Sequence, residues 1–139
     1  MIDVDQLFIK ISAREENIGW DALSSAERTI ATAMLLWYEV GNGGFHQYFF
    51  NTTGDLSLKA PGAFRAIGAI ETADVVEKAN ELFGSEGPNV NQLKRQAQLG
   101  SFTDFHLNKL DELDKFIFDD PEDIENLISM FALRNGLKE

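Results

Sequence analysis

The sequence predicts an all-α fold: a compact bundle of about six to eight helices, forming a single domain over residues 1–139. Three observations predict it. Apolar residues recur at i, i+3, i+4 and i+7 almost throughout, no segment sustains the alternation of a half-buried strand, and cap residues bracket the apolar runs. A chain of 139 residues is the size of one domain, with no repeat, low-complexity tract or linker rich in Pro, Gly or Ser to divide it. Surface scaling gives a folded accessible area of about 7,000 Å², roughly a third of that of the extended chain.

Val4, Leu7, Phe8 and Ile11 place one stripe on a first helix that ends near Asn17 to Gly19. Ser24 or Ser25 caps the next helix, where Ile30, Ala33, Met34 and Trp37 share a face that Leu35, Leu36 and Tyr38 widen. Residues 25 to 40 are therefore expected to be the spine of the core, ended by Asn42-Gly43-Gly44. Phe45 to Asn51 reads as a compact helical turn with Phe45, Tyr48 and Phe49 facing one way. Pro61 fits an early helical position, and Ala63, Ile67 and Ile70 continue a face through Gly68, a glycine expected to permit close packing. Thr72 is expected to cap a helix carrying Val75, Val76, Ala79, Leu82 and Phe83, with Gly84 beyond its end.

Ser85 to Asn91 reads as loop. Leu93, Ala97 and Leu99 suggest a short helix, and residues 102 to 118 a longer one carrying Phe105, Leu110, Leu113, Phe116 and Ile117. Asp120-Pro121 reads as the cap and first turn of a last helix with the stripe Ile124, Leu127, Ile128 and Phe131, closed by Asn135-Gly136.

Twenty-three acidic against 12 basic side chains leave a formal charge of −11, which repels nucleic acid and anionic membranes and attracts basic proteins. Direct nucleic-acid binding and membrane binding are thus not expected. The absence of cysteine excludes disulfides, thiolate metal sites and a cysteine nucleophile. A cytoplasmic location is expected, since no basic segment leads into an apolar one at Met1-Ile2-Asp3-Val4-Asp5 and no run of about 18 apolar residues follows.

Catalytic and cofactor patterns fail in turn. With only His46 and His106 there is no two-histidine metal motif, and Gly41-Asn42-Gly43-Gly44 follows a helix, without the spacing of a phosphate-cradling loop. Asp119-Asp120-Pro121-Glu122-Asp123 fits a DDxxD pattern for magnesium and a diphosphate, but Pro121 marks a helix start and no second such motif occurs. Neither cofactor nor metal is expected, and no catalytic residue is assigned. A small enzyme using His46 as a general base is the alternative, set against a histidine held in an aromatic segment.

The stretch Asn42-Gly43-Gly44-Phe45-His46-Gln47-Tyr48-Phe49-Phe50-Asn51, preceded by Trp37-Tyr38-Glu39-Val40, resembles the bacterial DNA-mimic-protein family. The similarity runs through Ala66-Ile67-Gly68-Ala69 and the segment from Ala73 to Phe83 to Leu113-Asp114-Lys115-Phe116, about residues 20 to 118. Asn42, Gly43, Gly44, Phe45, Gln47, Tyr48 and Asn51 are its structural motif, made of core and turn residues. The resemblance implies an α-helical, dimeric, acidic protein whose carboxylates imitate duplex phosphates on the DNA-binding face of a basic partner such as a transcription factor.

The residues themselves place such mimicry in the last third of the chain. Asp104, Asp111 and Asp114 are expected along one side of the helix from 102 to 118, a reach of about 15 Å, and Asp119, Asp120, Glu122, Asp123 and Glu125 extend the charge. Between Asp111 and Glu125 only Lys115 offsets eight acids. The same carboxylates near a helix N-terminus also stabilise that helix without any partner. A basic DNA-binding protein is the expected partner, and an immunity protein neutralising a basic nuclease toxin is the alternative with the same electrostatics.

Overall fold

The computed structural model describes residues 1–139 and contains seven α-helices and no strand. In order they are α1 (Val4–Ile18), α2 (Ser25–Phe50), α3 (Ala60–Ala66), α4 (Ile70–Glu81), α5 (Gln92–Gly100), α6 (Asp104–Asp119) and α7 (Ile124–Arg134). Two 3₁₀ turns, Trp20–Ala22 and Thr52–Leu56, flank α2. The accessible area of 7349 Å² agrees with the size scaling. No helix is long and apolar enough to cross a membrane.

The 26-residue α2 is the spine, packed by α1, α3, α5, α6 and α7. Ile30, Ala33, Met34, Leu36 and Val40 are buried along it, and Val4, Leu7 and Ile11 of α1 close one side. Its N-terminus is fixed by a capping box: the Ser24 hydroxyl accepts from Glu27 N–H, and the Glu27 carboxylate accepts from Ser24 N–H. Arg14 of α1 donates to the same carboxylate at 2.6 Å. Chiefly through that bond, the Glu27 carboxyl titrates below its ordinary value of 4.5. The stabilisation is therefore present above that value and lost as pH falls through the depressed one. Glu27→Gln is expected to cost about 1–2 kcal/mol near neutrality and to flatten the acid limb of stability. Urea unfolding from about pH 2 to pH 7 checks this; an unchanged acid limb would contradict it.

The sequence places an end at Asn42-Gly43-Gly44, and the structure shows a kink instead. Backbone angles leave the helical region at Gly43 (φ −152°, ψ 16°) and Gly44 (φ 80°, ψ 176°), and helix resumes at once through Phe50. The redirected arm buries Phe45, Tyr48 and Phe49 completely, on the one face expected.

Other expectations are corrected. Gly68, at φ 90°, separates α3 from α4, so the face expected to run through it to Ile70 is broken and Ile70 is exposed. Ala69, not Thr72, precedes α4 as its cap; Thr72 lies inside the first turn. In α5 the buried residues are Arg95 and Leu99, while Leu93 is exposed, and in α6 Phe105 is exposed. Asp120 is the left-handed C-cap of α6 (φ 47°), Pro121 sits in a turn, and the N-cap of α7 is Asp123 (φ 56°).

Candidate functional site

The eight carboxylates expected to form one outer array divide into two sets. Asp104, Asp111, Asp119 and Glu125 are exposed, accept no protein hydrogen bond and join no ion pair. Asp114, Asp120, Glu122 and Asp123 instead accept backbone N–H groups at helix starts, where an anion compensates the positive end.

Asp114 is half-buried against the kink of α2, where its carboxylate accepts from Phe45 N–H at 2.7 Å. This is the first free N–H after the break, so Asp114 caps the second arm of α2 across 69 residues of sequence. Burial raises its pKa; the bond from Phe45 and the nearby His46 oppose the rise, and Asp111 adds to it. A raised carboxyl favours the protonated native state: its stabilisation is present below the ordinary value of 3.8 and lost as pH rises through the raised one. Asp114→Asn, which keeps the acceptor without the charge, is expected to be at least as stable as the parent at pH 7. Asp114→Ala, which orphans the Phe45 N–H, is expected to lose about 1–3 kcal/mol. Thermal unfolding checks the pair; equal losses in both would contradict the assignment.

Glu122 reaches α4, where one carboxylate oxygen accepts from Thr72 N–H and the Thr72 hydroxyl at 2.6 and 2.7 Å, and the other from Glu71 N–H at 3.2 Å. It supplies the cap that Ala69 cannot. Asp120 accepts from Ile124 N–H at 3.0 Å and Asp123 from Asn126 N–H, so both hold the start of α7. Within the DDxxD run, Asp120 and Asp123 thus turn to α7 and the intervening Glu122 to α4, while Asp119 faces solvent. No three carboxylate or imidazole groups in the molecule converge in an arrangement for a metal ion.

Asp3 and Asp5, which lie outside the acidic stretch of the sequence, complete the surface. Ile2 N–H donates to the Ser129 hydroxyl of α7, and this tether brings the start of α1 against the start of α7. Between them opens a cleft of about 550 Å³ whose wall includes Asp3, Asp5, Asp123, Glu125 and Asn126, with no lysine or arginine and the amino-terminal residue Met1 at its edge. Of the eight acids from Asp111 to Glu125, only Glu112 has a cationic partner, Lys109 at 3.4 Å. Elsewhere Glu27 pairs with Arg14, Asp74 and Glu77 with Arg65, and Asp55 with Arg95, while Glu15, Glu16, Asp21, Glu39, Glu71, Glu81 and Glu86 join no ion pair. Unpaired carboxylates are densest along the sequence from Asp111 to Glu125, and the start of α1 adds Asp3 and Asp5 beside the start of α7.

Gln47 and Asn51 tie the second arm of α2 back to the first: both donate amide N–H groups to the Glu39 carboxylate, to which the Thr53 hydroxyl also donates. Asn42 and Gly43 are exposed at the bend, and a side-chain carbon on Gly43 would collide with Gln47. Below them lies Arg95, fully buried, which the sequence reading did not single out. Its guanidinium donates to the carbonyl oxygens of Phe49, Asn51, Asn89 and Val90 and pairs with Asp55 at 3.0 Å. His46 is exposed and stacks on Phe50, with ring centroids 6.4 Å apart. His106 stacks on Phe102 and accepts from Thr103 N–H at the start of α6.

A family model described as DMP19-like protein matches residues 21–135. No curated protein and no solved structure matches the chain.

Proposed function

Because the chain belongs to the DMP19-like protein family, we propose that it is a non-enzymatic DNA mimic that occupies the DNA-binding surface of a basic partner such as a transcription factor. The observation that supports this most is the uncompensated acidic surface: Asp104, Asp111, Asp119 and Glu125 exposed without cations, and Asp3, Asp5 and Asp123 joining Glu125 around one cleft. A DNA-binding surface is shaped for a polyanion carrying one charge per about 1.7 Å of duplex axis, and it releases counterions when that charge docks. Asp114, Asp120 and Glu122, held by hydrogen bonds at helix starts, lie beside this surface at fixed positions. Opposite charges steer association and make it weaken with salt.

Capture of partners from the native host tests the reading, with the parent compared to a combined Asp104→Lys, Asp111→Lys, Asp119→Lys and Glu125→Lys variant. These four side chains make no hydrogen bond or ion pair, so helicity should be retained. The expected result is a DNA-binding protein captured by the parent, released by duplex DNA and by raising salt from about 50 to 200 mM, and lost from the variant. A captured nuclease toxin would favour an immunity role at the same surface. Capture that survives both the variant and DNA would refute mimicry.

A further inference from the structure

A second feature adjoins the acidic cleft. Phe8 of α1 and Leu35 and Tyr38 of α2 line an open groove of about 360 Å³, bounded by Glu39, Asn42 and Thr53. The Phe8 and Tyr38 rings lie 5.3 Å apart at a tilt, and Tyr38 remains 40% exposed on a helix that buries Ile30, Met34, Leu36 and Val40. Tyr38 also joins groove to cleft, because its hydroxyl donates to Asp5. Burial raises the Tyr38 pKa, as do its bond to Asp5 and the charges of Asp5, Glu125 and Asp3. Neither wall contains a lysine or arginine, and the one cationic group lining the cleft is the amino group of Met1, set against four carboxylates. At the far end Glu39 accepts only from neutral donors, so its charge is uncompensated as well.

An apolar floor with carboxylates at both ends complements a chain that is itself apolar and cationic. We propose that this composite surface docks a basic segment of a partner protein carrying a large apolar side chain beside its lysines or arginines. The apolar side chain enters between Phe8, Leu35 and Tyr38, and the cations reach Asp3, Asp5, Asp123 and Glu125. The inference rests on the DNA-mimic reading and sharpens it: recognition of the partner then has an apolar anchor that a bare phosphate array lacks, and with it a source of discrimination among basic proteins.

Two synthetic peptides test it on the full chain: an oligolysine ending in phenylalanine and the same oligolysine ending in alanine, followed by amide chemical shifts. The phenylalanine peptide is expected to bind about tenfold tighter, equivalent to about 1.4 kcal/mol. It should shift Leu35 and Tyr38 as well as Asp3, Asp5, Asp123 and Glu125, whereas the alanine peptide should shift only the acidic set. Leu35→Gln should bring the two peptides to equal affinity. Equal affinities in the parent, with shifts confined to the acids, would overturn the groove as an anchor and leave the polyanion reading standing. Failure of both peptides to perturb the cleft would remove both readings. A concentration-dependent dimer abolished by Leu35→Gln would assign the groove to a second copy of the chain and overturn the proposal.

Discussion

Arg95→Met is expected to destabilise the protein by about 3–5 kcal/mol, a large part of the roughly 5–15 kcal/mol that holds a domain together. Arg95 is not one half of a simple buried pair. Its donors serve four backbone carbonyl oxygens, two at the end of α2 and two in the loop before α5, while Asp55 balances the charge from a half-exposed position. Methionine fills a similar volume but removes the guanidinium donors from the Phe49, Asn89 and Val90 carbonyl oxygens, at about 1–3 kcal/mol for each that water cannot reach, while Asn51 keeps the Gly54 N–H. The melting temperature should fall by roughly 10–20 °C. Arg95→Lys should rescue little, because a compact ammonium cannot span acceptors arranged for a planar fork. Gly54 belongs to the same construction: a side-chain carbon there would lie 2.7 Å from the Tyr48 carbonyl oxygen and from Arg95 Nε. A fall of less than about 3 °C in the methionine variant would show that the buried guanidinium is dispensable.

Gly44→Ala should cost about 2–4 kcal/mol, from two separable causes. At φ 80° and ψ 176° the backbone lies in a region open essentially to glycine alone, and the added carbon would sit 2.5 Å from Asp114 Oδ2. The collision pushes away the carboxylate that caps the second arm of α2. A double-mutant cycle with Asp114→Ala separates the causes: in that background the collision is gone, and only the backbone strain should remain. A Gly44→Ala cost that is the same in both backgrounds would show that the carboxylate and the bend are uncoupled.

The bend also shows where pattern reading succeeds and where it stops. Val4, Leu7 and Ile11, then Ile30, Ala33 and Met34, and Ile124 with Ile128 are buried as their spacing requires, because a stripe of period 3.6 has to find a partner whatever that partner is. The Gly43-Gly44 signal is correctly placed as a break in α2, but its outcome depends on Asp114, far away in sequence, which captures the freed N–H and lets the helix resume. Glu122 and Thr72 are a second case, 50 residues apart: neither neighbourhood contains the information that one caps the other.

The candidate surface was legible in the same partial way. Density of acids located α6 and the start of α7, yet density does not distinguish a carboxylate facing solvent from one turned onto a helix end. Asp114, Asp120, Glu122 and Asp123 are of the second kind, as long-range or turn-specific hydrogen bonds decide. Asp3 and Asp5 were missed because nothing in the first helix's stripe names α7 as its neighbour; the Ile2 to Ser129 hydrogen bond makes that choice. Arg95 was hidden in the polar segment Gln92-Leu93-Lys94-Arg95-Gln96, where a cation ordinarily faces water.

Two kinds of carboxylate therefore serve two ends. Those that cap helices fix the relative positions of α2, α4, α6 and α7, and those left free present charge on the frame so fixed. A rigid anionic frame loses less entropy on docking than a flexible acidic tail would, which favours association with a preformed cationic groove.

The most direct test is equilibrium competition: a labelled duplex bound to the captured partner, titrated with this protein at about 50 and 200 mM salt. The account predicts that the duplex is displaced completely, and that the protein's own affinity for the partner falls steeply between the two salt concentrations. A ternary complex in which the duplex stays bound while this protein associates, with an affinity indifferent to salt, would contradict it.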